Sequence, residues 1–359
     1  MEELVIRKYA RIIAILCFAF TIILASMPEI NAKVAEVVSI CKERWEEAQK
    51  AKEMVAYKSF IKNTKKEEEA PTDIMIPGTI RIPIDTTRDK GLIEFQNDYM
   101  NHSLTVFFPG VTEEMLEEHP IVGNPDHIDD LEISFDENGL YVEFITETVI
   151  EPTFEYRDNY MFLTLNIPKD IYERIVVLDA GHGGNMPGMV VNGIREKDVN
   201  LEIVLKIKAL LDEDPTIKVY YTRLIDEDIP LEKRAGLANE LDADIFLSVH
   251  LNSFGRAYNS TNGTMTMYNE LAGETDNKSK AFAKIINDAL VGALGTRDLG
   301  VVKGSSIFII REAKVPVALT ELGFMSNKKE LENLTSEEYQ NAIAVTIYET
   351  IKKALDEGF

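Results

Sequence analysis

Two histidines and two glutamates stand in this sequence where turns would expose them. His182 lies within Gly181-His182-Gly183-Gly184, Glu196 follows farther on, His250 precedes Leu251-Asn252-Ser253, and Glu321 lies within Thr320-Glu321-Leu322-Gly323. Two imidazoles and a carboxylate make a common catalytic zinc set, with a fourth position left to water or substrate. Zinc lowers the pKa of a bound water to about 7 and polarises a carbonyl under attack. A second carboxylate, off the metal, can accept the water proton and pass it to a leaving amine. One of the two glutamates therefore belongs on the metal and the other beside it, but residue type and spacing do not say which. Taken singly, His182 reads equally well as a histidine packed in a turn, and Glu321 as a buried salt-bridge partner. Their joint placement is harder to dismiss, because unrelated structural residues have no reason to gather at strand ends. There is no His-Glu-x-x-His helix and no Cys-x-x-Cys pair, which excludes the zincin and zinc-finger readings.

The elements that must carry these residues alternate in type. Ile175-Val176-Val177-Leu178 is a continuous apolar run ending at Asp179-Ala180-Gly181, and a helical pattern follows from about Val199 to Leu211. Lys218–Thr222, Asp244–Val249 and Val315–Leu319 suit further strands, and Leu231–Leu241, Ala281–Leu290 and Tyr339–Leu355 suit further helices. Strands alternating with helices predict an α/β domain over 174–359, its sheet largely parallel and flanked by helices. Ligands of such sheets collect outside the carboxyl ends of the strands, which is where the four residues fall.

The preceding half has a different texture. Arg7, Lys8 and Arg11 lead into an apolar run from Ile12 to Ala25, so 1–27 reads as a signal peptide or a signal-anchor helix. The run is short for a spanning helix; we favour the anchor, which places the rest of the chain outside the cytoplasm. Residues 28–61 carry helical spacing and read as a short stalk, and 62–73 is a charged linker. Over 74–168 the period becomes two, with segments such as Leu104-Thr105-Val106-Phe107-Phe108 and a hairpin-type turn at Asp136-Glu137-Asn138-Gly139. That pattern predicts a small β-rich, sandwich-like domain, in which His102, His119 and His127 are surface or loop histidines. The 359-residue chain has 45% apolar residues, enough for sizeable cores, and a formal net charge of −23, which argues against a nucleic-acid partner. Its two cysteines, Cys17 and Cys41, make neither a disulfide scaffold nor a zinc ribbon, and Leu16 before Cys17 does not fit a lipoprotein.

Four separated motifs occur in order: Val177-Leu178-Asp179-Ala180-Gly181-His182-Gly183-Gly184, Arg195-Glu196-Lys197-Asp198-Val199-Asn200-Leu201, Ser248-Val249-His250-Leu251-Asn252-Ser253, and Leu319-Thr320-Glu321-Leu322-Gly323-Phe324-Met325-Ser326-Asn327. With them, and with the lesser matches Thr222-Arg223, Arg234 and Ile310-Arg311-Glu312, the chain from Ile175 to its C-terminus resembles the zinc-dependent N-acetylmuramoyl-L-alanine amidases of the amidase type 3 family. Carried over by position, the resemblance implies that His182, Glu196 and His250 hold one zinc ion and that Glu321 is the catalytic general base and acid. It implies hydrolysis, by zinc-activated water, of the peptidoglycan amide between the lactyl group of N-acetylmuramic acid and the L-alanine of the stem peptide. Asn252 and Arg311 are candidate substrate contacts, with loop capping and surface pairing as the bland alternatives. The chain departs from the family at Ala180, where proline is usual, and at Asn185-Met186-Pro187-Gly188, where an aspartate is usual. Some relatives carry an inserted helix that plugs the site; the stretch from Ser253 to Phe282 is short and shows no such plug, which predicts an unplugged site. By position and strand pattern, 74–168 resembles a wall-targeting module of the AMIN type. The expected location is extracytoplasmic, membrane-anchored through the N-terminal helix or secreted to the cell wall; no protein partner is indicated. Two other functions stay open: a zinc peptidase acting within the stem peptide, and a non-catalytic wall-binding protein.

Overall fold

A computed structural model describes residue 76 and residues 78–359, apart from 89, 124, 256 and 272–277. The apolar segment, stalk and linker expected over 1–73 lie outside the described residues. Among those described, no helix is long and apolar enough to cross a membrane.

The first strands are β1 (Ile80–Pro83), β2 (Glu94–Asp98) and β3 (Ser103–Pro109), with a short helix α1 (Glu113–Glu118) after them. Then come β4 (Val122–Gly123), β5 (Ile128–Phe135), β6 (Gly139–Thr146), β7 (Glu151–Arg157) and β8 (Tyr160–Asn166). They pair as two four-stranded sheets, ordered β4-β1-β8-β7 and β2-β3-β6-β5. Leu104, Val106 and Phe108 from β3 and Leu140, Val142 and Phe144 from β6 meet Ile80, Ile82 and Leu163 of the other sheet in one buried cluster. Alternation sends the intervening residues of β3 outward, so one face of each sheet is covered and the other is wetter. The β5–β6 turn closes on Asp136, whose Oδ1 accepts the Asn138 and Gly139 amides at 2.7 and 3.0 Å. This side chain mimics a backbone turn, as aspartate does in short hairpins.

After a helical turn α2 (Pro168–Ile171) the second unit begins with β9 (Ile175–Ala180), a small hairpin of β10 (Val190–Val191) and β11 (Ile194–Arg195), α3 (Glu196–Leu211) and β12 (Lys218–Tyr221). It continues with α4 (Leu231–Glu240), β13 (Ile245–Asn252), β14 (Thr264–Tyr268), α5 (Lys278–Leu294) and β15 (Asp298–Lys303). It ends with α6 (Phe308–Glu312), β16 (Val317–Phe324), α7 (Lys328–Leu334) and α8 (Glu337–Asp356). One six-stranded sheet runs β12-β9-β13-β16-β14-β15, with only the β14–β16 pair antiparallel. Strand β9 shows why the apolar run is continuous. Val176, Leu178 and Ala180 join the core under α3, α5 and α8, whereas Ile175 and Val177 join the core under α4 and α6.

Several boundaries move from those expected. The helix over 199–211 starts at Glu196, strand 244–249 runs on to Asn252, and the run 315–319 becomes a strand reaching Phe324. Glu196 is therefore the first residue of a helix, and His250 and Glu321 lie inside strands. Strands β14 and β15 were not anticipated.

The sandwich is seated on the β12 edge of this sheet and on α4. The Tyr99 hydroxyl donates to the Tyr221 carbonyl at 2.8 Å and accepts the Tyr221 amide at 3.1 Å, so an edge strand's free groups are satisfied from the other unit. Glu240, the last residue of α4, accepts from the Thr148 hydroxyl at 2.7 Å and lies 3.1 Å from His102 Nε2.

Candidate metal centre

The end of β9 delivers His182 in the left-handed region, with φ of 62°. A residue with a Cβ rarely sits there, and such strain recurs where a side chain is held for function. Gly183 and Gly184 also have positive φ, and the turn closes on paired backbone bonds between Gly183 and Met186 at 3.0 and 2.9 Å. Glu196 opens α3, where the helix dipole favours a negative charge. Its Oε1 lies 3.2 Å from His182 Nε2 and 3.0 Å from His250 Nδ1, and accepts the Leu251 amide at 3.2 Å. Its Oε2 accepts the Met189 amide at 2.9 Å.

The three side chains present ligand atoms within 4.8 Å of one another. Donors about 2.0–2.2 Å from a shared tetrahedral centre sit about 3.3 Å apart, so two imidazoles and a carboxylate at these distances fit a zinc ion in both type and spacing. Burial opposes the ionised form of Glu196, but the contacts from His182 and His250 outweigh it and hold the carboxyl well below its usual range. For His250 burial opposes the charged ring, and the Glu196 carboxylate overcomes it and raises the imidazole.

Glu321 is in a different state. It lies on β16 directly across from His250 in the parallel register. Its Oε2 is buried with no hydrogen-bond partner. Burial pushes its carboxyl up to about 7, with His250 pulling down and Glu196 pushing up. One glutamate is thus saturated with donors and the other has an unused buried oxygen. The two carboxylates thus stand in different environments, a difference that spacing in the sequence did not show.

All four residues line an open cleft of ≈540 Å³, walled on the apolar side by Met186, Ile229, Leu231 and Ile307. Asn252 also lines it, with its Oδ1 accepting the Ser253 amide at 2.7 Å. Arg311 does not reach the cleft lining; it pairs with Glu312 at 2.9 Å and donates to the Ser305 carbonyl at 3.3 Å. His102 is at the contact between the two units, His119 lies 3.2 Å from the Tyr160 hydroxyl, and His127 occupies a turn with φ of 71°. Among the described residues, His182, Glu196 and His250 are the one group of His, Cys, Asp and Glu spaced to hold a metal.

Sequence reasoning missed the buried polar support behind these residues. Asp179 accepts from Arg234, Thr222 and Ser248, and Arg223 and Arg234 donate to backbone carbonyls of the His182 turn. Arg223 and Arg234 were visible only as lesser motif matches, because arginine is a surface residue by default.

Packing at Gly181 gives a first expected result. A Cβ there would lie 2.2 Å from His250 Nε2. Gly181→Ala must therefore push the His250 ring aside, and affinity for added zinc should fall by at least about tenfold, the loss typical when the support of a metal-binding ring is disturbed. Competition with a chromophoric chelator reads this directly; unchanged affinity would show that the ring has room to move.

The sequence model of the family Amidase_3, N-acetylmuramoyl-L-alanine amidase, matches residues 176–353. The chain is similar to the uncharacterized protein YqiI of Bacillus subtilis (strain 168), with 38% identity over 185 residues, covering 51% of this chain and 86% of that one. It is 32% identical over 174 residues to N-acetylmuramoyl-L-alanine amidase LytC of Bacillus subtilis (strain 168), covering 48% of this chain and 34% of LytC. This chain thus spans about a third of the length of LytC. Among solved structures, the catalytic domain of CwlV, an N-acetylmuramoyl-L-alanine amidase from Bacillus (Paenibacillus) polymyxa var. colistinus, is 37% identical with a TM-score of 0.47, covering 51% of this chain and 98% of that one.

Proposed function

From the premise that this chain belongs to the N-acetylmuramoyl-L-alanine amidase family of hydrolases, we propose that it cleaves peptidoglycan at the amide between the lactyl group of N-acetylmuramic acid and the L-alanine of the stem peptide. His182, Glu196 and His250 would hold one zinc ion, and Glu321 would move the proton. The observation that carries this reading is the pairing of a converged His-Glu-His donor set with a second, unpartnered carboxylate across the β13–β16 register. When bound, zinc supplies a Lewis acid for the scissile carbonyl and a water acidic enough to ionise near neutral pH.

The chain's own residues supply the rest. Glu196, fixed by two backbone amides, keeps the two imidazoles turned to one point. Glu321, with its carboxyl near 7, accepts a proton and returns it at neutral pH. A general acid–base works best with its pKa near the working pH, and here the departing amine nitrogen is the acceptor of the returned proton. Met186, Ile229, Leu231 and Ile307 give one wall of the cleft an apolar surface against which the substrate can pack. The family's substrate is extracytoplasmic, which agrees with reading 1–27 as an export signal or anchor.

Digestion of purified sacculi tests the reading. Released intact stem peptides bearing a free L-alanine amine are expected. Cuts inside the stem would replace it with a zinc peptidase, and no release at all, with zinc bound, would leave a wall-binding protein.

A further inference from the structure

The site has a part that neither binds the metal nor faces the cleft. Arg223 is among the largest fully buried side chains of the described residues, only 2% exposed. Its Nε donates to the Ala180 carbonyl at 2.9 Å, and its Nη2 donates to Gly181 at 3.0 Å and to Lys197 at 2.9 Å. Its Nη1 donates to the Ile225 carbonyl at 3.1 Å. Three separate segments meet on one guanidinium: the turn that carries His182, the first turn of α3 that carries Glu196, and the loop after β12. Ala180 and Gly181 directly precede one ligand, and Lys197 directly follows another.

An ion pair does not explain this arginine. The buried carboxylate Asp179 accepts from Arg234 Nη1 at 2.6 Å on its Oδ1, and among the described residues no carboxylate lies within ion-pairing distance of Arg223. Burial lowers its pKa, and the neighbouring Arg234 adds to this. Such a charge is retained only when its donors are well used, and here four bonds to carbonyls use them. The loop has adapted to it as well. A Cβ on Gly183 would lie 3.0 Å from Arg223 Cδ and Nε and 2.1 Å from the Glu227 carbonyl, so the turn lies against the guanidinium in a way only glycine allows.

We propose that Arg223 is a positioning residue that joins the His182 turn to the Glu196 helix start, setting the distance between two metal ligands before metal arrives. The inference rests on the zinc reading of the site. A rigid planar fork can serve carbonyls from three segments at once, whereas lysine offers a single charged point on a flexible stem. Losing the fork frees the two ligand segments to drift apart, and supports of this kind are worth about 10–100-fold in metal affinity.

The test compares Arg223→Lys with Leu211→Ala in the full chain. Leu211 is fully buried at the far end of the 16-residue α3, about 22 Å along the helix from Glu196. Both variants should lower the melting temperature. Zinc affinity by chelator competition should fall at least tenfold for Arg223→Lys and stay at the wild-type value for Leu211→Ala, and the visible absorption of the Co²⁺-loaded Arg223→Lys protein should change. Equal affinities and equal cobalt spectra in wild type and Arg223→Lys would overturn the proposal. Arg223→Gln stands in if the lysine variant does not fold, and loss of fold in both would also overturn it, because the residue would then serve the whole domain. Wild-type protein that binds no stoichiometric zinc would instead overturn the reading of the site.

Discussion

Glu321→Gln is expected to lower kcat/KM for sacculus hydrolysis by about 10²–10⁴-fold, the usual contribution of a positioned acid–base, equivalent to about 2.7–5.4 kcal/mol of barrier. Glutamine keeps the shape of the side chain in its strand and removes the titrating group. The zinc content should not change, because Glu321 is not among the residues that converge on the metal position. Stability gives a second signature. The folded carboxyl is raised to about 7, so ionising it costs the folded state more than the unfolded one. Sign follows: stability tied to this group is present below its unfolded value near 4.3 and is lost as pH rises through 7. A neutral glutamine removes that loss, and the metal-free variant should melt at the same temperature as wild type or higher at pH 8. Activity within threefold of wild type, or zinc lost along with activity, would each defeat the proton-transfer role.

The parts of this molecule that were legible in the sequence are those where apolar periodicity and turn chemistry act locally. Ile175-Val176-Val177-Leu178 reads as a strand buried on both faces, and Asp136–Gly139 reads as a hairpin turn from its residue types alone. The start of α3 was misplaced because Glu196, Lys197 and Asp198 carry no apolar repeat, although acidic residues in a first turn are themselves a helix-start signal. Strand β14 was hidden for the opposite reason. Its buried face is Thr264, Thr266 and Tyr268, and the methionines between them are half-buried, so the binary pattern is inverted. Those threonines are satisfied by tertiary partners, Thr264 by the Leu322 carbonyl at 3.0 Å and Thr266 by Asn287 at 3.3 Å, which no local pattern announces.

The same distinction runs through the site. His182, His250 and Glu321 were recognisable from the turn-like motifs around them, although His250 and Glu321 lie inside strands; which glutamate meets the imidazoles is a tertiary fact. It depends on α3 folding back so that Glu196 lies 3.0 Å from a ring on β13. The two buried arginines are legible only after folding, since each is defined by the carbonyls it collects. The seating of the sandwich on β12 and α4 bears on the wall-targeting reading of 74–168, which we retain as a proposal. Lys233 and Glu240, both on α4, hold the sandwich, and Arg234 on the same helix donates to the His182 carbonyl at 2.7 Å.

Asp179 should show the reverse signature to Glu321. It is fully buried and accepts from Thr222 and Ser248 at 2.5 Å each and from Arg234 at 2.6 Å. Burial opposes its charge, and Arg234, Ser248 and Thr222 together overcome this and hold the carboxyl below its usual range. Asp179→Ala leaves a 3%-exposed Arg234 without its counter-ion and strands two buried hydroxyls. Breaking one partner of a buried pair costs about 3–5 kcal/mol, which is a large part of a domain's stability. Asp179→Asn, which keeps an acceptor but not the charge, should lose less. Because the folded pKa is depressed, the stability this group supplies is present above its unfolded value near 3.9 and disappears as pH falls through the folded one. Urea unfolding of wild type and Asp179→Ala should therefore show a gap that is constant near neutral pH and narrows below about pH 4. Added zinc should protect both proteins, but the variant less, since Arg234 also fixes the carbonyl of His182, a residue we propose holds the metal. A gap under about 1 kcal/mol at pH 7 would mean that Arg234 finds another partner or water, and that the His182 turn stands without this buried pair.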